Sequence, residues 1–122
     1  MIDHKEVETY ILSMPNAWLD YPFGKEVAVY KVGAKDGDRS QGKMFALVTE
    51  DKMPLQISLK CDPQLAVTLR EKYATVMPGY HLNKKHWNTI ICSRQVPDEE
   101  IKDFVVHSYY LVTPLQLETE EK

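Results

Sequence analysis

Most of the side chains in this sequence that could do chemistry lie in one short segment. Residues 80–89, YHLNKKHWNT, contain two histidines, two lysines, two asparagines, a tyrosine and a tryptophan, and no carboxylate. Side chains of these types can ligate a metal, assist a catalytic thiol, or contact the phosphates and bases of a nucleic acid. Each of these functions needs further residues, and the rest of the sequence decides whether they are present.

A metal site would need more ligands than the segment offers. His81 and His86 are five residues apart, no acidic residue occurs between Lys72 and Pro97, and Cys92 is the nearest cysteine. Zinc takes four protein ligands in structural sites and three in catalytic ones. We therefore predict that no metal and no other cofactor is bound, and that the histidines make hydrogen bonds in a turn or lie at the surface.

An enzyme active site is not indicated either. Cys92 with His81 or His86 could form a pair of nucleophile and base, but the surrounding sequence TIICS is typical of a strand that buries an inert thiol. The sequence contains no phosphate-binding P-loop, no GxSxG motif, no HExxH motif and no GxGxxG motif. We predict a protein without catalytic activity.

Contact with a nucleic acid is the third candidate function of the segment. Its lysines supply charge for phosphates, Asn83 and His81 supply hydrogen-bond donors, and the two aromatic rings supply faces for stacking. The same residues would form a solvated basic turn above a buried Trp87, and because a tryptophan that begins an apolar strand usually belongs to the core, the residue types favour this second interpretation. The candidate nucleic-acid-binding residues are Lys60, Tyr80, His81, Asn83, Lys84, Lys85, His86 and Trp87.

The distribution of charge singles out the same part of the chain. The net charge is −3, which argues against indiscriminate attraction to nucleic acid. Residues 72–97 carry four basic side chains and no acidic one, which leaves −7 for the rest of the chain. The segment therefore lies in the one basic region of an acidic protein.

Hydrophobic periodicity and capping residues predict the elements that position this segment. The connection over 15–24 has the composition of turns, and 33–42 that of a long, mobile hairpin loop. The predicted elements are a helix over 3–14, strands over 26–32, 43–49 and 55–60, a helix after the Asp62–Pro63 pair, a strand over 87–92 and a helix that begins near Pro97.

This order predicts an α+β fold, a two-layer sandwich in which three helices pack on one face of an antiparallel sheet. The element order is α-β-β-β-α-β(-β)-α, with one domain over 1–117 and a flexible tail over 118–122. No apolar run reaches the roughly 20 residues that cross a membrane, and the N-terminus lacks the apolar segment of a signal peptide. We expect a cytoplasmic protein whose two cysteines are reduced and buried.

The segment PGYHLNKKHWNTI also resembles the hallmark segment of the YjbR/MmcQ family of small bacterial proteins. The motifs YPFG at 21–24, GKMFALV at 42–48, LQISLKCDPQLAVTLRE at 55–71 and SYYLV at 108–112 resemble the family pattern in the same order. The resemblance implies a domain similar to secretion chaperones and frataxin, in a family that is largely uncharacterised and has been likened to "double-wing" DNA-binding domains. The hairpin loop departs from a basic wing, because Asp36 and Asp38 balance Lys35 and Arg39.

Two functions are therefore expected from the sequence. The first is a non-enzymatic DNA-binding module that contacts phosphates through the basic loop. The alternative is a protein-interaction adaptor or chaperone-like domain that uses an exposed apolar surface, as a monomer or a homodimer. Salt dependence of DNA binding would support the first, and a contiguous exposed apolar patch would support the second.

Overall fold

The computed structural model of the protein describes residues 2–33, 42–49, 53–79 and 82–113. Its described elements form an α+β fold, as predicted. In chain order they are α1 (His4–Leu12), β1 (Ala17–Asp20), β2 (Val27–Val32), β3 (Lys43–Thr49), β4 (Gln56–Lys60), α2 (Pro63–Lys72), β5 (Val76–Pro78), β6 (Trp87–Ile91) and α3 (Asp98–Leu111).

The six strands form one antiparallel sheet in the order β1-β2-β3-β4-β6-β5. The first four strands follow one another along the sheet as antiparallel neighbours, an arrangement in which hairpin connections suffice. Helix α2 then carries the chain past β4, so that β6 pairs with β4 and β5 lies at the edge. The predicted antiparallel sheet is confirmed, and the segment between β5 and β6 is a connection at its edge.

The predicted order is wrong at one element. Residues 15–24 were predicted to be a turn-rich connection, but they contain β1, which pairs with β2 from Ala17↔Val32 to Asp20↔Val29. The strand has only four residues and follows Asn16, whose φ of 65° is typical of a turn. Turn-forming residues therefore outweigh the strand residues in the local pattern. The indole Nε1 of Trp18 donates to the Gly33 carbonyl at 2.9 Å and fixes this strand against the end of β2.

Capping residues explain where the helices begin. The Asp3 carboxylate accepts from the Glu6 backbone N–H at 2.8 Å, and the Asp62 carboxylate accepts from the N–H groups of Gln64 and Leu65. Helix α3 has no side-chain cap, but its first turn holds three acidic residues, which the helix dipole favours. None of the helices in the described part of the chain is long and apolar enough to span a membrane.

All three helices cover one face of the sheet, as predicted. Ala28 and Tyr30 of β2 belong to the main core with residues of the helices, whereas Val29 between them belongs to a second, smaller cluster on the other face. Ser108 of α3 joins the layers, because its hydroxyl accepts from the Lys60 N–H at 2.9 Å and donates to the Phe45 carbonyl at 2.5 Å. This pair of bonds fixes the end of β4, beside which the candidate site lies.

Two further predictions fall outside the described part of the chain. The loop over 33–42 is described only at Gly33 and Gly42, and the predicted tail over 118–122 is not described.

Cys61 and Cys92 are free and buried, in agreement with the prediction of two reduced thiols.

Candidate functional site

The basic loop, residues 79–86, connects β5 to β6, and its described part consists of Gly79 and residues 82–86. The Gly79 N–H donates to the Trp87 carbonyl at 2.9 Å and closes the base of the loop. A β-carbon on Gly79 would lie 2.7 Å from the Trp87 Cβ and 3.2 Å from the Leu82 Cβ. Glycine is therefore required here because the two sides of the loop approach closely.

Hydrogen bonds within the loop give it a defined turn. The Asn83 side-chain oxygen accepts from the Lys85 N–H at 2.9 Å, and the Asn83 carbonyl accepts from the His86 N–H at 3.2 Å. The Lys84 ammonium donates to the Gly79 carbonyl at 3.2 Å. Asn83 thus shapes the turn with its side chain, as asparagine commonly does. Lys84 stabilises the turn through one hydrogen bond of its ammonium group, which has three N–H donors.

The end of β4 lies directly beside the loop. The Cys61 N–H donates to the His86 carbonyl at 2.7 Å, and Lys60 is the cross-strand partner of Trp87. Because directly opposed residues point to the same face of a sheet, the Lys60 side chain lies next to Trp87 on the face away from the helices. The structure therefore brings Lys60 to the same end of the sheet as the basic loop.

Arg70 of α2 contacts the loop from the other side, and the sequence did not indicate it. Its guanidinium donates through Nε to the Asn88 side-chain oxygen at 2.7 Å, and through Nη2 to the carbonyls of Lys84 and, at 3.4 Å, Trp87. The Asn88 amide nitrogen donates in turn to the Ala66 carbonyl at 3.3 Å. One arginine and one asparagine thus attach the loop and the start of β6 to α2.

The sequence signal for this connection is the polar Asn88 in the largely apolar strand WNTII. In the strand WNTII, Trp87 and Thr89 point away from the helices, so Asn88 must point toward them. Asn88 is buried, and a buried amide needs hydrogen-bond partners. The partners could not be predicted from the sequence, because Arg70 and Ala66 lie far from Asn88 along the chain.

Trp87 is a core residue of the face away from the helices. It is only 7% exposed and forms the second cluster with Val29 and Leu47, against which Leu82 of the loop packs. Burial of the indole supports the basic turn from below and favours the core interpretation over base stacking. Of the other candidate residues, Tyr80 and His81 lie outside the described residues.

The charged side chains of the loop face solvent. Asn83, Lys84 and Lys85 are exposed and His86 is half-buried. The ion pairs between described residues, Lys31 with Asp20 and Lys102 with Glu6, do not involve the loop. No described carboxylate neutralises the two loop lysines, so their charge is available to an anionic partner.

Cys61 beside the loop and Cys92 at the far end of β6 are both poorly suited to nucleophilic catalysis. Burial raises the pKa of Cys92 to about 12, with a further contribution from the negative charge of Asp98. Burial and the Asp62 carboxylate raise the pKa of Cys61 to about 11, against an opposing effect of the Arg70 charge. Both thiols are therefore protonated near neutral pH, whereas a reactive cysteine needs its thiolate.

Acidic, histidine and cysteine side chains do not gather into a metal-binding group of three or more within the described residues. His86 lies in the loop and His107 lies on α3, where its Nε2 accepts from the Asp62 N–H at 3.2 Å. The two histidines therefore lie on separate elements and do not form a metal site with each other.

The chain as a whole is similar to several known proteins. A family model named YjbR matches residues 12–111. An uncharacterised protein YyaQ of Bacillus subtilis is 36% identical over 121 residues, with 91% of this chain and 98% of that protein covered. An uncharacterised protein YbdF of Escherichia coli O157:H7 is 33% identical over 109 residues, with 89% of this chain and 83% of that protein covered.

Solved structures share the fold. The Deinococcus radiodurans protein DR2400, with the family-model domain DUF419, has a TM-score of 0.81 and 36% identity, covering 89% of this chain and 77% of that one. A Pseudomonas syringae protein has a TM-score of 0.73 and 25% identity, covering 92% of this chain and all of that one.

Proposed function

This chain belongs to the YjbR family, as its motifs predicted, and we propose that it is a DNA-binding module without catalytic activity. It contacts backbone phosphates through the basic loop. The proposal is based on the geometry of the loop, since the relatives are uncharacterised.

The observation that carries the proposal is the presentation of Lys84 and Lys85. They are adjacent, exposed and held on a hydrogen-bonded turn, and no described carboxylate pairs with them. Lysine ammonium groups are common phosphate contacts in protein–DNA complexes. At physiological ionic strength, charges more than about 8 Å away are largely screened, so distant acidic residues of the chain reduce this local charge little.

The second support is the position of Lys60. Its place beside Trp87 extends the cationic surface from the loop onto the end of β4, on the face of the sheet away from the helices. Lys60 and the two loop lysines together could neutralise two or three phosphates. Asn83 contributes mainly to the shape of the turn, and His86 lies at its end, so the lysines are the principal contacts.

Phosphate contact predicts binding without strong sequence preference. Phosphates position a protein on DNA, whereas base edges carry the sequence information. The buried indole of Trp87 offers no open face for stacking. The module would therefore bind duplex DNA through charge and shape.

Charge reversal in the loop tests the proposal. The Lys84→Glu/Lys85→Glu variant should lose measurable binding to duplex DNA at low salt, and Lys85→Glu alone should weaken it while sparing the Lys84–Gly79 bond. Lys25→Glu is the matched control, because Lys25 is exposed and precedes β2 at the opposite end of the sheet. Equal affinity in the loop variants and the control would contradict the proposal.

The second candidate function, a protein-interaction domain, has one supporting observation. Leu12, Tyr110 and Leu111 are exposed at the ends of α1 and α3, which the bond from the Tyr109 hydroxyl to the Pro15 carbonyl brings together at 2.6 Å. Light scattering of the wild type and a Leu12→Ser/Leu111→Ser variant would test it. Self-association that these substitutions abolish would favour this function.

A further inference from the structure

Arg70 makes contacts that are unusual for an arginine in the last turn of a helix. A basic side chain there commonly faces solvent or the last carbonyls of its own helix. Arg70 is half-buried and directs its donors at groups outside α2: the Asn88 side-chain oxygen and the carbonyls of Lys84 and Trp87. These groups belong to the basic loop and to β6.

We propose that Arg70 is a positioning residue, which holds the basic loop in the conformation that presents Lys84 and Lys85. As a statement about DNA binding, this rests on the function proposed above. As a statement about the order of the loop, it is independent of it.

The planar guanidinium is needed for this arrangement. Nε and Nη2 reach a side-chain acceptor and two backbone carbonyls at the same time, with donors fixed in one plane. A lysine has a single ammonium on a flexible chain and cannot reproduce that fork. Arg70→Lys therefore keeps the positive charge but cannot make the three hydrogen bonds of the guanidinium at the same time.

Asn88 makes the connection rigid. Its oxygen accepts from Arg70 and its nitrogen donates to the Ala66 carbonyl, so its amide is used at both ends. Because Asn88 is buried, loss of the Arg70 bond would leave a desolvated oxygen without that partner. This cost opposes any movement of the loop away from α2.

A direct phosphate contact by Arg70 is the competing explanation. It predicts that Arg70→Lys retains most of the affinity, because a lysine also pairs with phosphate. A positioning role predicts that Arg70→Lys and Arg70→Gln lose similar amounts. Lys72→Gln is the matched control, since it removes one positive charge from the same turn of α2 without touching the loop.

The test measures amide hydrogen exchange and DNA affinity in Arg70→Lys, Arg70→Gln and Lys72→Gln. Loss of charge-assisted bonds should speed exchange at the Lys85 and His86 amides about tenfold in both Arg70 variants, with no change at the core amide of Cys92. Affinity for duplex DNA should fall equally in the two variants and remain near wild type in Lys72→Gln.

Three other results would contradict the positioning role of Arg70 or the proposed function. Wild-type exchange in Arg70→Lys would overturn the positioning role, and so would faster exchange at Cys92, which would make Arg70 a residue of global stability. If the wild type binds no DNA at low salt, the proposed function fails. The exchange rates at Lys85 and His86 would still decide whether Arg70 orders the loop.

Discussion

The backbone N–H of Cys61 donates a 2.7 Å hydrogen bond to the carbonyl oxygen of His86. This bond joins the end of the basic loop to the residue that follows Lys60, although the two are 25 positions apart in the sequence. Helix α2 lies between them in the chain and contributes Arg70 to the same place. The lysines thus lie on β4 and on the loop, and α2 helps to hold the loop in place.

Charge reversal at Lys60 should weaken DNA binding without disturbing the loop. Lys60→Glu removes one phosphate contact, so the slope of log affinity against log salt should decrease in magnitude by about 1. A salt titration with duplex DNA measures this slope, with Lys25→Glu as the control at the far end of the sheet. A slope equal to that of the wild type would show that Lys60 does not contribute.

Substitution of Gly79 should destabilise the domain. The added β-carbon of Gly79→Ala would lie 2.7 Å from the Trp87 Cβ, which is closer than atoms can pack, so the loop or the strand must shift. Overpacking of this kind costs about 1–3 kcal/mol. Urea denaturation of the variant measures the loss in the free energy of unfolding, and an unchanged midpoint would contradict the close approach.

Removal of the Trp87 indole should affect stability far more than DNA affinity. Trp87→Leu deletes part of a buried side chain and should lower the free energy of unfolding by about 2–4 kcal/mol. Trp18→Leu is the matched control, because Trp18 is also buried and lies on β1, an edge strand far from β6. If Trp87→Leu lost binding to single-stranded DNA and Trp18→Leu kept it, the indole would be a stacking residue after all.

The buried thiols should make stability fall at alkaline pH. The pKa values of Cys61 and Cys92 rise from the ordinary 9.0 to about 11 and 12, because burial disfavours the thiolate. The unfolded chain therefore releases these protons at lower pH than the folded protein. The stabilisation is complete below pH 9 and is lost as the pH rises toward the folded-state values.

Denaturant unfolding at pH 7.5 and pH 10 checks this effect. The wild type should lose more stability between the two pH values than a Cys61→Ala/Cys92→Ala variant does. Equal losses would assign the alkaline dependence to other groups.

The sequence predicted the elements whose determinants are local. The helices follow from Asp3 and Asp62 as capping residues and from apolar periodicity, and β4 follows from strict alternation. Strand β1 was missed because its four residues are flanked by turn-forming ones, and its pairing with β2 is a tertiary interaction.

The sequence predicted the residues of the basic loop but not the contacts that hold the loop in place. The basic loop was found because its residue types are contiguous in the chain. Arg70 and Asn88 were missed because their contact depends on how α2 packs beside β6, which local patterns do not encode. The separate parts that Lys84 and Lys85 play in the turn also emerge only from coordinates, since adjacent lysines look equivalent in a sequence.

The central claim is that the exposed lysines bind phosphates, and the salt dependence of wild-type binding tests it most directly. With two or three phosphates neutralised, log affinity for duplex DNA should fall against log salt with a slope of about −2 to −3. Affinity that is independent of salt, or no binding at low salt, would contradict it.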